Sequence, residues 1–250
     1  MAASQADNVR VELLNVGWIS GSAAVWRQGE DPDRRIRFPV PSFLIETDEE
    51  RILVDTGLNP AAIADPGAYY GRPEAGAFEL ELEEDLREQV DLTTLTRVVL
   101  THLHFDHAGG LARLPASIPI VVQRREWEAG HDAASVKRNF FYPRDYAVGE
   151  PEIVLIDGDH DLLGDGSIQL LLTPGHTPGH QSVRVGERLL LGIDVAHFAS
   201  SFDGHRFPVF ADDHAAQARS AERLCRLRDA GARLLPGHDP EVLRPGPVIA

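Results

Sequence analysis

The sequence predicts a layered α/β sandwich, and three observations carry that expectation. Short apolar runs alternate with turn residues over most of the chain, and only a few segments with helical period fall between them. No linker, charge block or low-complexity tract divides the 250 residues. Many strands with few helices bury their apolar faces by stacking sheet on sheet with helices outside, so one domain spanning 1–250 is expected.

The elements follow in order. Ser42–Thr47 and Arg51–Asp55 read as two strands around the turn Asp48-Glu49-Glu50. Residues 60–78, rich in Pro, Gly, Ala and Tyr and without a period, read as a surface loop or lid. In Glu79–Val90 the apolar Leu82, Leu86 and Val90 repeat every fourth residue, which predicts a helix with a narrow buried stripe. Arg97–Thr101 and Ile118–Val122 are buried strands, the second followed by a helical start at Arg124. Residues 131–151 are aromatic and irregular. Strands are expected at Ile153–Ile156, Ile168–Leu172, Ser182–Val185, Arg188–Leu191 and Arg233–Leu235, with a helix over Ala215–Ala230.

Composition narrows the function. With 24 Lys and Arg against 39 Asp and Glu, the net charge of −15 repels polyanions, so nucleic acid is not an expected partner. The single cysteine, Cys225, permits no internal disulfide and reads as a small, buried or half-buried helix residue. Residues 1–7 show neither a cationic nor an apolar region of a signal peptide, and no apolar run approaches the roughly 20 residues of a membrane span. A cytoplasmic protein without a membrane partner is the expectation.

The chemistry concentrates in His102-Leu103-His104-Phe105-Asp106-His107, four potential ligands within six residues. On a helix His102 and His104 would point to nearly opposite sides, whereas on an extended segment they share a face. The buried strand just before supports an extended entry, and Gly109-Gly110 supplies freedom for the turn that adjacent Asp106 and His107 require. Four such groups can hardly serve one ion and leave a position open for water. The set therefore points to two metals, with His102 and His104 on one and Asp106 and His107 on the other. Further ligands must come from elsewhere. His176, Asp194 and His238 stand at strand ends or in Gly- and Pro-flanked loops suited to holding an imidazole or carboxylate rigidly.

The pattern His-x-His-x-Asp-His, with the later Gly-His, Asp and Gly-His elements, resembles the metallo-β-lactamase superfamily from about Pro41 to His238. Val54-Asp55-Thr56-Gly57 resembles its early strand-end motif, in which the Asp supports the site. Thr101–Gly110, Val121–Arg124 and Thr173–Ser182 are most similar to bacterial N-acyl homoserine lactone lactonases, enzymes of quorum quenching. The resemblance implies a four-layer αββα sandwich and two divalent ions, zinc by preference. It places His102, His104 and His176 on the first ion, Asp106, His107 and His238 on the second, and Asp194 between them. His180 falls outside the ligand pattern, as a hydrogen-bonding or packing residue. His131, His160, His205 and His214 default to the surface. Where lactonases commonly carry a tyrosine three positions after the bridging Asp, this chain has His197.

The expected reaction is the opening of a small, neutral N-acyl homoserine lactone by a hydroxide bridging two metals. Asp106 would pass the nucleophile's proton to the leaving alkoxide, and His197 would assist at the carbonyl. Phe105, Tyr69 and Tyr70 are the expected apolar wall for the substrate. The alternatives are another hydrolase of the same superfamily, acting on a different lactone, a thioester or a phosphodiester, and an iron-dependent redox enzyme of the same fold.

Overall fold

A computed structural model describes residues 9–82, 84–147 and 151–249. Thirteen strands are present among them: β1 (Arg10–Ser22), β2 (Arg35–Glu46), β3 (Arg51–Val54), β4 (Glu79–Glu81), β5 (Arg97–Val99), β6 (Ile120–Gln123), β7 (Ile153–Ile156), β8 (His160–Asp161), β9 (Ile168–Leu172), β10 (Gln181–Val185), β11 (Leu189–Ile193), β12 (Arg233–Pro236) and β13 (Gly246–Ile249). They form a sheet ordered β13-β1-β2-β3-β5-β6-β7, with β4 on the flank of β1, and a second ordered β12-β11-β10-β9-β8.

Alternation along the strands makes the layers. Ile52 and Val54, Val99, and Val121 share a core with Leu170, Leu189 and Leu191 of the other sheet. Their sequence neighbours Leu53, Val98, Ile120 and Val122 face the opposite way, into a core with helical and loop residues such as Leu103, Phe105 and Leu111. On the second sheet Leu171 and Leu190 pack outward on Ala221 and Leu224 of the helix His214–Asp229. A side-chain period of two thus buries both faces of both sheets, and the order helix, sheet, sheet, helix is the expected αββα sandwich. Among the described residues no helix is long and apolar enough to cross a membrane.

The structure departs from the sequence expectations in places. Glu79–Val90 is not one helix: Glu79–Glu81 pairs antiparallel with Trp18–Ser20, and only Leu86–Gln89 is helical. Edge pairing with β1 buries Leu80 and sets Glu79 and Glu81 opposite Arg35 and Arg37, so tertiary pairing overrides the local period. Asp85, with Glu88 returning to its backbone, caps the helix late. Residues 60–78 hold three short helical turns, Pro60–Ala62, Pro66–Tyr70 and Pro73–Ala77, each with Pro at its start. Within the irregular stretch 131–147 are two more, Ala133–Arg138 and Pro143–Tyr146. The 13-residue β1 escaped the sequence reading because Asn15, Gly17 and a bulge between Asn15 and Trp18 break its alternation.

Both sheets end at one edge. Asp55 follows β3, His102 follows β5, His176 and His180 lie between β9 and β10, Asp194 follows β11 and His238 follows β12. The sheets are tied there directly: Gln181 N–H donates to the Thr101 carbonyl at 2.9 Å, and the Gln181 amide donates to the Leu100 carbonyl at 2.8 Å.

Candidate metal centre

Beyond β5 the chain runs without regular structure to His104 (φ −69°, ψ 155°), an extended residue directly before the helical turn Phe105–Ala108. That break lets His102 and His104 face one point while Asp106 and His107 face another. Gly109 and Gly110 both hold ordinary helical φ values, −63° and −83°. Their small size, rather than backbone freedom, is what the turn requires: a Cβ on Gly109 would meet the Asn59 nitrogen at 2.5 Å, and one on Gly110 the Thr56 carbonyl at 2.3 Å.

The seven candidate ligands converge and are all buried. His102 Nε2 and His176 Nε2 stand 3.1 and 3.0 Å from His104 Nδ1. The Asp194 Oδ2 atom lies 3.3 Å from His176 Nε2 and 3.7 Å from His102 Nε2, while its Oδ1 lies 3.1 Å from His238 Nε2. Asp106 Oδ2 stands 3.7 Å from His107 Nε2 and 3.6 Å from His238 Nε2. Three overlapping groups of potential ligands result: His102, His104, His176 and Asp194; Asp106, His107 and His238; and Asp194, His197 and His238.

For His102, His104, His107 and His238 a hydrogen bond at the outer nitrogen fixes which nitrogen faces inward. His104 Nε2 donates to the Asn139 carbonyl at 2.8 Å, and His238 Nδ1 to the Pro39 carbonyl at 2.9 Å. Asp55 sits at φ 61° and organises the rest: its carboxylate accepts from Thr101 N–H at 2.8 Å, Thr101 Oγ1 at 2.7 Å and His107 Nδ1 at 2.7 Å. Thr101 Oγ1, its proton given to Asp55, then accepts from His102 Nδ1 at 3.0 Å. Such outer partners set tautomer and ring orientation in metal sites. Among the buried atoms left without a hydrogen-bond partner are His107 Nε2, His238 Nε2 and Asp194 Oδ1. An unpaired buried polar atom is costly, and all three are lone-pair donors facing the interior of the cluster. The donor set therefore fits divalent cations.

Electrostatics splits the cluster. Burial, with His107 and His104 adding to it, holds His102 well below the ordinary imidazole range. Burial likewise pushes His104 down to about 4 and His176 to about 3, so these rings are neutral and ready to ligate. Burial opposes charge on His107 and His238 too, but Asp106, Asp194 and, for His107, Asp55 outweigh it and raise both. Burial would raise Asp194, yet His238, His197 and His107 hold it well below the carboxylate range.

Residues with no direct place in the cluster brace it. His180, pushed down to about 3 by burial, donates from Nδ1 to Thr173 Oγ1 at 3.0 Å and accepts the Asp194 backbone N–H at 3.2 Å. This is the hydrogen-bonding role the sequence left to it. Glu126 is fully buried and accepts from Leu103 N–H at 3.0 Å, Thr177 Oγ1 at 2.9 Å and Gly179 N–H at 2.8 Å, joining the two histidine loops. The sequence reading missed Glu126, whose only signal is a carboxylate in the first turn of a helix directly after a buried strand.

A cavity of about 160 Å³ opens onto His104, Asp106 and Asp194. Its apolar wall comes from Trp26, Phe78, Phe105, Phe140, Tyr142 and Phe210. Of the expected wall only Phe105 lines it. Tyr70 stacks behind on Tyr142 with ring centroids 4.3 Å apart, and Tyr69 accepts from the Asn59 amide at 2.9 Å, so these two tyrosines support the wall from outside. His197 does not line the cavity; its Nε2 stands 3.0 Å from Asp194 Oδ2. His131, His160, His205 and His214 are exposed, as expected.

A fold of two stacked sheets with a His/Asp cluster at their shared edge defines a class, and sequence comparison agrees. The pattern of the metallo-β-lactamase superfamily matches residues 35–238, and the chain belongs to that superfamily. An N-acyl homoserine lactonase from a Bacillus species is 33% identical over 77% of this chain and 78% of its own length. The N-acyl homoserine lactonase AttM of Azorhizobium caulinodans is 30% identical over 86% of each. A solved N-acyl homoserine lactone hydrolase, with N-hexanoyl-L-homoserine bound at its catalytic metal centre, superposes with a TM-score of 0.80 at 29% identity, over 93% of this chain and 94% of that one.

Proposed function

We propose that the chain, working as one unit over residues 1–250 in the cytoplasm, is a di-zinc lactonase that opens N-acyl homoserine lactones. The observation that carries this reading is the position of the apolar cavity directly over His104, Asp106 and Asp194. His102, His104 and His176 would hold one ion, Asp106, His107 and His238 the other, and Asp194 both. Two such ions, when bound, would supply a hydroxide at neutral pH and an electrophile for the carbonyl oxygen. Asp106 on the cavity floor takes the nucleophile's proton and delivers it to the ring oxygen, an alkoxide that leaves poorly unless protonated. The aromatic wall takes the acyl chain, at about 0.8 kcal/mol for each methylene removed from water. His197 contacts the Asp194 carboxylate rather than the cavity, so it acts on the ligand set. A wall this apolar favours a neutral acyl substrate over a phosphodiester.

The test is a metal analysis coupled to proton release on N-acyl homoserine lactones, simple lactones, thioesters and phosphodiesters. Two zinc ions per chain, with N-acyl homoserine lactones turned over fastest, is the expected result. One iron per chain, or activity confined to thioesters, would overturn the reading.

A further inference from the structure

We propose that His197 is itself a metal ligand, so that the second ion is held by three imidazoles, those of His107, His238 and His197. The proposal rests on the two-metal reading and concerns the one position where this chain departs from the lactonase pattern.

Geometry carries it in three ways. First, His197 belongs to the same shell around the shared carboxylate as the other ligands. Asp194 Oδ2 lies 3.7 Å from His102 Nε2, 3.5 Å from His107 Nε2 and 3.3 Å from His176 Nε2, and His197 Nε2, at 3.0 Å, is nearer than any of these. Nitrogens and oxygens about 2.0–2.2 Å from a common zinc ion stand at such separations from one another. Second, Asp194, His197 and His238 form by themselves a set whose ligand atoms all lie within 4.8 Å of one another. Third, the backbone presents the two histidines as a pair: Gly237 N–H donates to the Ala196 carbonyl at 3.0 Å, and His238 N–H to the His197 carbonyl at 2.8 Å. The rings sit 5.0 Å apart at 82°. His197 is 2% exposed and walled off by Trp26 and Phe210, 5.6 and 6.3 Å away between ring centroids, so water does not compete for its nitrogens.

The imidazole is also too short for the other role. The His197 ring ends at the Asp194 carboxylate, 3.0 Å from Oδ2, and leaves the cavity wall to others. A third imidazole makes the second position nitrogen-rich, which favours zinc, nickel or cobalt over manganese.

The experiment substitutes both ions by cobalt(II) and counts the strongly hyperfine-shifted, exchangeable imidazole N–H resonances by proton NMR, one for each ligating histidine. The six histidines His102, His104, His107, His176, His197 and His238 predict six signals in the wild type. His197→Phe should lose one signal and bind the second ion about 10–100-fold more weakly, the range seen when a partner of a metal site is removed. The first ion's affinity, read by chelator competition, should not change. Two bound ions with five signals in the wild type overturn the proposal and leave the two-metal reading intact. Fewer than two ions per chain contradict both. The wild-type count stands whether or not the variant folds.

Discussion

Asp55 and Gly237 show how single residues outside the ligand set control it. Asp55 Oδ1 accepts from Thr101 N–H and Oδ2 from both Thr101 Oγ1 and His107 Nδ1, so Asp55→Asn, whose amide nitrogen cannot accept, loses the contacts of one oxygen or the other. Affinity for the second ion should fall about 10–100-fold, measured by chelator competition; an unchanged affinity would contradict the bracing role. At Gly237 an added Cβ would stand 2.3 Å from Asp194 Oδ1, forcing the shared carboxylate to turn. A misplacement of that size costs on the order of 100-fold in rate, so Gly237→Ala should lose about that much kcat/KM while its circular dichroism stays that of the wild type. Full activity would show that Asp194 has slack. The ligands themselves were legible in the sequence, because dense His/Asp residues after a buried strand have little use in packing. Thr101 and Glu126 were not: a hydrogen bond from Thr101 to Asp55 crosses 46 residues and leaves no local pattern.

At the scale of elements, the strands that position the site were readable from their period, while the cavity wall was not. Trp26, Phe78, Phe140 and Phe210 come from four separate connections that only the fold brings together. Phe210→Ala should therefore raise KM with acyl length, on the order of 10-fold for a decanoyl substrate and little for a butanoyl one, since one lost apolar contact surface is worth about 1–2 kcal/mol. Equal effects on both lengths would remove the chain from this wall. The connection between the two histidine loops carries a second prediction. Burial pushes Glu126 up to about 7, against the pull of the Gly179, Leu103 and Thr177 donors. A carboxyl whose pKa rises on folding adds stability below its unfolded value near 4.5, and that stability is lost as pH rises through about 7. In the metal-free protein, the Tm of Glu126→Gln should therefore change less between pH 4.5 and 7 than that of the wild type. Parallel profiles would mean Glu126 keeps its ordinary pKa.

Across the whole molecule, two sheets of different topology meet at one edge, and each contributes ligands to both of the unlike halves of one site. His102, His104 and His176 are held below the ordinary imidazole range by burial, whereas His107 and His238 bind protons more readily than free imidazole. Protons therefore compete with the second ion first, and lowering the pH should strip it while the first remains, as followed by metal content after dialysis from pH 7 to pH 5. Loss of both ions together would refute that asymmetry. The sandwich was legible because both faces of each sheet are apolar in alternation; the topology that opposes the two ligand loops was supplied by resemblance rather than by period. The most direct test of the lactonase reading is hydrolysis of an N-acyl homoserine lactone by the zinc-loaded protein in ¹⁸O-water, with the label located by mass spectrometry. Attack at the carbonyl places ¹⁸O in the carboxylate of the ring-opened product. Label in the alcohol, or no ring opening with two zinc ions bound, would contradict it.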